Sequence, residues 1–143
     1  MVETGTGHES DTDHDEAAET ANTRRVVREY VESLERRDWA KVTALLDDDI
    51  VYEMPQSRER IRGKASFLQF NREYPGDWHL RIRYVVADGH HAAVLINARV
   101  DDDHQDACAW FAMSDAGLIN AITDYWPEPY EPHADRARLV ERY

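Results

Sequence analysis

Asn120, Ile122, Asp124 and Trp126 recur at every second position of a strand-like run, so they share one face of that strand. A carboxylate set between Ile122 and Trp126 on an inward face loses solvent. Its pKa then rises, which suits it to removing a proton beside a carbonyl group. Asp124 is therefore the candidate acid/base. Two other readings stand beside this one: a structural aspartate that accepts hydrogen bonds from an arginine or a backbone amide, and a register that turns Asp124 outward. Tyr52 is the second chemical candidate, because a pocket-facing phenol can donate a hydrogen bond to a ligand oxygen. Asn120 is the alternative donor. Tyr30, Met54, Phe67, Phe70, Trp78 and Phe111 are candidates for apolar lining of the same pocket, and plain core packing is the favoured reading for most of them.

Other chemistries find no support. There is no HExxH, CxxC, P-loop or dinucleotide fingerprint, so neither a metal nor a cofactor is expected. His90 and His91 are adjacent in a turn and point to opposite faces. His8 and His14 stand among carboxylates in a stretch that reads as solvated tail. Ser57, Ser66 and Ser114 lack the turn context of a nucleophile. Cys108 has no cationic neighbour in sequence and reads as a small sheet residue.

Charge narrows the partners. The formal charge is −12, and phosphate backbones require basic clusters, so nucleic acid is not an expected partner. No apolar stretch is long enough to span a bilayer, and the N-terminus has no secretory pattern. With a single cysteine, these features predict a cytoplasmic protein with no membrane association. The acids Glu3, Glu9, Asp11, Asp13, Asp15, Glu16 and Glu19 precede the first arginine. Residues 1–22 are accordingly expected to form a disordered acidic tail, and residues 23–143 a single domain.

The elements that must position the candidate site follow from periodicity. Asn22 or Thr23 is the predicted N-cap of a first helix, with Val26, Val27, Tyr30, Val31 and Leu34 on one face. Asp38 caps a second, short helix through Leu46. A strand is predicted over 50–54, a polar loop over 56–62, and a third helix after Gly63 carrying Phe67, Phe70 and Tyr74. Trp78, Leu80, Ile82, Tyr84 and Val86 alternate with polar residues as one strand face. Strands over 92–100, 106–114 and 118–126 follow, then a proline-rich arm with a short helical pattern over 134–143. Helices first and a strand meander later give an α+β domain, a curved mixed or antiparallel sheet wrapped as a cone around three N-terminal helices.

Three segments carry a resemblance: Leu45-Leu46-Asp47-Asp48-Asp49-Ile50-Val51-Tyr52-Glu53-Met54-Pro55, Ile61-Arg62-Gly63, and the hairpin from Gly117-Leu118-Ile119 to Asp124-Tyr125-Trp126. Over residues 24–126 the chain resembles the SnoaL-like polyketide cyclase family of the nuclear transport factor 2-like (cystatin-like) fold. That fold hosts isomerases, cyclases, dehydratases, epoxide hydrolases and binding modules, so function must be argued from the site. The resemblance implies a pocket-facing His and Asp two residues apart on the last strand. Here those positions are Ile122 and Asp124. A further ionisable position falls at Ala109. The acid is kept and its two polar companions are apolar.

Three functions are consistent with these features. One is a cofactor-free isomerase, cyclase or dehydratase using Asp124. Another is a non-catalytic module holding a small apolar ligand, and the third is a dimerising scaffold. By parity Cys108, Trp110, Ile119, Ala121 and Tyr125 fall on the outer sheet face, which is too apolar for open solvent. A homodimer through that face is the predicted assembly, and the C-terminal arm is the alternative cover.

Overall fold

The structure is a computed structural model and describes residues 9–143. The first helix, α1, spans Glu9–Glu35 and is followed by α2 (Trp39–Leu45), β1 (Leu46–Met54), β2 (Glu59–Arg62) and α3 (Lys64–Glu73). The long strands β3 (Trp78–Asp88), β4 (His91–Val100), β5 (Asp103–Met113) and β6 (Ile119–Tyr125) come next, and a 3₁₀ turn spans Ala134–Leu139. The strands form one curved, open sheet in the order β2-β1-β6-β5-β4-β3. Its pairings are antiparallel except for β1 with β6, which run parallel. The predicted α+β cone is the observed fold.

The inner face of the sheet meets the apolar stripe of α1. Val27, Val31 and Leu34 are buried there with Val94, Ile96 and Phe111 from the facing strands. Two threonines of α1 tie the helix to the β3–β4 turn. The Thr23 hydroxyl donates to the Gly89 carbonyl at 2.6 Å, and the Gly89 amide donates to Thr20 Oγ1 at 2.9 Å. Gly89 takes φ +56°, a left-handed conformation that favours glycine in so tight a hairpin.

Several expectations are corrected. Helix α1 begins at Glu9 rather than at Asn22 or Thr23, so residues 9–22 of the expected tail are helical. Ala17, Ala18 and Ala21 favour helix, early acids suit the helix dipole, and Thr20 anchors the segment against the turn. The rest of the expected tail, with His8, lies outside the described residues. The polar stretch 56–62 contains a strand, β2, whose Arg62, Ile61, Arg60 and Glu59 pair with Val51, Tyr52, Glu53 and Met54. An edge strand tolerates such polarity because one of its sides faces solvent. β1 likewise starts at Leu46, four residues before the predicted Ile50.

The largest correction concerns β3. Its pairing with β4 shifts between Ile82 and Tyr84, and the extra residue reverses the facing of everything after it. Val85 and Ala87 therefore pack against the core, whereas Tyr84 and Val86 stand 65% and 61% exposed on the outer face. Strict alternation put Tyr84 and Val86 inside.

Candidate functional site

The parallel pairing of β1 with β6 builds the site. It sets Tyr52 opposite Ile122, which brings the Tyr52 side chain beside Asp124 two residues further along the neighbouring strand. The Tyr52 hydroxyl donates to Asp124 Oδ2. On the other side of β6, Asp124 is paired with Ala109 of β5. The small Ala109 side chain offers the carboxyl no polar group. Asp124 Oδ1 is buried and accepts no well-formed hydrogen bond among the described residues, although the Trp126 side chain stands near enough to pull on the carboxyl. A buried oxygen left without a donor costs about 1–3 kcal/mol, so its retention calls for an explanation.

Asp124 opens onto a cavity of about 790 Å³ between the sheet, α1 and α3. The buried end is formed by Tyr30, Tyr52, Phe111, Ile122 and Asp124, with Trp78, Met54, Phe70 and Trp126 along the walls. Burial pushes the Asp124 carboxyl above the usual carboxylate range, against the opposing pull of the Tyr52 hydroxyl and the Trp126 side chain. Burial, reinforced by the Asp124 charge, also pushes the Tyr30 and Tyr52 phenols upward, so both remain protonated donors. The Tyr30 ring stacks with Phe67 and meets Phe111 edge-on at 5.5 Å. Its hydroxyl has no hydrogen-bond partner among the described residues.

The aromatic wall is held by polar contacts from outside the cavity. Arg37 lies 3.2 Å above the Trp78 ring and donates to the Trp78 carbonyl and to the Leu34 and Glu35 carbonyls that end α1. Glu35 in turn accepts from the Leu80 amide at 2.7 Å and pairs with His79 Nδ1 at 2.8 Å. His79 Nε2 meets Asp77 Oδ1 at 3.0 Å. One imidazole thus bridges two carboxylates between the end of α1 and the start of β3.

Asp124, Tyr52, Tyr30, Met54, Phe70, Trp78, Phe111, Ile122 and Trp126 converge on this cavity. Phe67 and Asn120 do not. Phe67 is 1% exposed and packs beneath the rings of Tyr30 and Tyr52 as core. Asn120 falls where the β5–β6 pairing shifts between Ala112 and Met113, so strict parity with Asp124 fails. For the same reason Ile119, expected on the outer face, is fully buried. The hydroxyl of Tyr30 is the feature that sequence reasoning missed. Tyr30 sits in an apolar helical stripe, and only the tertiary arrangement brings its phenol near enough to Asp124 for the carboxylate charge to help keep it protonated. Among the described residues no cluster of His, Cys, Asp and Glu is arranged to hold a metal ion. No helix among them is long and apolar enough to cross a membrane.

Comparison with known proteins bears on this geometry. A candidate ketosteroid isomerase from Kribbella flavida is 44% identical, with a TM-score of 0.84 over 87% of this chain and 92% of its own. An epoxide hydrolase of Mycobacterium tuberculosis, described as LEH-like, is 27% identical, with a TM-score of 0.65 over 76% of this chain and 85% of its own. An NTF-2 like protein of Burkholderia xenovorans, 18% identical with a TM-score of 0.74, covers 87% of this chain and 98% of its own and shares the fold. No curated protein matches. Residues 27–131 match the SnoaL-like domain. They include both strands that join Tyr52 to Asp124, and the chain belongs to the SnoaL-like family of the nuclear transport factor 2-like fold.

Proposed function

We propose that this SnoaL-like protein binds a small apolar carbonyl compound in its cone and isomerises it by proton transfer through Asp124, without a cofactor. The observation that carries the reading is the unpartnered, buried Asp124 Oδ1 at the closed end of an apolar cavity. In the ionised form, Oδ1 takes a proton from the carbon beside the carbonyl. The C–H electron pair moves into an enolate, and the developing charge on oxygen is met by the Tyr30 hydroxyl. The proton then returns from Oδ1 to a different carbon, so no atoms are gained or lost. Tyr52 keeps its own proton, donates a hydrogen bond to Oδ2 throughout and orients the carboxyl. That assignment reverses the roles expected from sequence: Tyr52 is engaged by Asp124, and Asn120 is outside the cavity. Relatives described as an isomerase and an epoxide hydrolase support an enzymatic reading.

A panel of cyclic ketones in deuterium oxide tests the proposal. Incorporation of deuterium beside the carbonyl, catalysed by the wild type and lost in Asp124→Asn, is the expected result. Exchange that persists unchanged in the variant removes Asp124 from catalysis.

A second reading has its own observation. Ala109, directly opposite Asp124, offers no polar companion to the acid, which favours a binding module that holds its ligand without chemistry. Saturable ketone binding with no exchange supports that alternative. A scaffold whose cone is filled by its own side chains fits a cavity of this size poorly. For assembly, we infer a homodimer in which Tyr84, Val86, Trp110 and Tyr125 of one outer sheet face cover those of a second copy. The single Cys108, a thiol that burial pushes upward, suits a reducing, cytoplasmic setting.

A further inference from the structure

The cavity changes character along its length, and its mouth carries a charge pattern that proton transfer does not use. Aromatic and aliphatic walls reach down to Tyr30 and Asp124, whereas Glu59, Asp103 and Glu128 stand exposed where the cavity opens. Glu59 and Glu128 have no ion-pair partner among the described residues, and Asp103 accepts from Gln105 Nε2 at 2.8 Å. Arg99 is the one cation of the lining among those residues. Its guanidinium is held by the Asp101 carbonyl at 2.6 Å and by Asp77 Oδ2 at 3.3 Å. The rim is therefore negative and its single arginine is already engaged.

The two ends of the cavity together orient a ligand. Asp124, 8% exposed and with Oδ1 unpartnered, sets the reacting carbon of the ligand at the closed end, where the Tyr30 hydroxyl meets the carbonyl oxygen. Whatever lies at the ligand's other end then faces Glu59, Asp103 and Glu128. We propose that the preferred ligand is an apolar carbonyl compound whose solvent-facing end is a cationic amine, and that ligands ending in carboxylate, sulfate or phosphate are selected against. This inference rests on the pocket reading above. An ammonium group at the mouth keeps part of its hydration, gains the attraction of the three carboxylates and meets the half-exposed ring of Tyr74. An anion in the same place meets like charge, and Arg99, the one cation of the lining among the described residues, is already engaged.

Three probes of matched shape test this: 2-acetylnaphthalene, its 6-aminomethyl derivative and its 6-carboxylate. Binding is followed by quenching of the tryptophan fluorescence in about 0.02 M and about 0.5 M sodium chloride. The expected result is that the amine binds roughly tenfold more tightly than the carboxylate at low salt, with the gap narrowing at high salt. The triple variant Glu59→Gln, Asp103→Asn, Glu128→Gln should close the gap between amine and carboxylate. Equal affinities for amine and carboxylate in the wild type, or a gap that survives in the triple variant, overturn the inference while leaving the pocket reading intact. Failure of all three probes to bind overturns both.

Discussion

The Tyr52 hydroxyl donates to one oxygen of the Asp124 carboxyl while the other oxygen, also buried, accepts no well-formed hydrogen bond among the described residues. This asymmetry divides the carboxyl into a held atom and a free one. The held atom fixes orientation. The free atom is where a proton can be exchanged with a ligand.

Asp124→Asn should change the pH dependence of stability. Burial holds the folded-state pKa of Asp124 above its unfolded value, which lies near 4. Between those two values the folded state binds more protons than the unfolded one, so stability falls as pH rises through the window. The variant lacks this loss. Urea unfolding from pH 3 upward should show a variant advantage that grows through the window and then levels off. Parallel curves at all pH values would contradict the assignment.

Tyr52→Phe and Tyr30→Phe should separate the roles of the two phenols. Without Tyr52, Asp124 Oδ2 also loses its donor. That costs about 1–3 kcal/mol of stability and raises the carboxyl pKa further. The pH profile of ketone exchange should therefore move to higher pH. Tyr30→Phe removes the donor to the ligand oxygen, so exchange should slow by roughly 100-fold with the profile in place. Identical profile shifts in both variants would argue against this division.

His79 bridges Glu35 and Asp77, and the hydrogen bond to Glu35 raises its pKa, opposed by desolvation and assisted by the charges of both acids. For a histidine whose folded pKa is raised, the stabilisation is complete below its unfolded pKa and is lost as pH rises through the folded value. The melting temperature of His79→Gln should therefore fall furthest below wild type at pH 5.5 and approach it by pH 9. A difference that is constant across that range would sink the idea of a charged bridge.

The shifted pairing in β3 exposes Tyr84 and Val86 beside Trp110. If a second copy covers this face, Val86→Glu with Trp110→Glu should convert a dimer to a monomer in sedimentation experiments. Each copy should also become more prone to bind apolar dyes, since the remaining patch is uncovered. A wild-type protein that sediments as a monomer at tens of micromolar excludes this interface.

Much of the architecture is local and therefore legible in residue order. The stripe from Val26 to Leu34, the Asp38 cap that accepts from the Lys41 amide, and the turns at Gly89 and Gly117 all act within a few residues. Alternation of side chains likewise put Ile122, Asp124 and Trp126 on one strand face, and all three line the cavity. It failed where one extra residue entered a ladder. After Ile82 the shift turned Tyr84 and Val86 outward, and at Asn120 it buried Ile119 instead of exposing it. A bulge depends on how two strands pair, which neither strand's own sequence states.

Asp124 is the same kind of case. Its neighbours Ile122 and Trp126 were enough to mark a carboxyl in apolar surroundings, because period-two alternation is a property of one strand. That Tyr52 occupies one of its oxygens, that Ala109 leaves its other side bare, and that Tyr30 stands free nearby are results of pairing and packing. Residue order specified the acid. Long-range contacts between a helix and two strands, whose Tyr52 and Asp124 lie 72 residues apart, decided which of its atoms is available, because hydrogen-bond satisfaction is settled only when those elements meet.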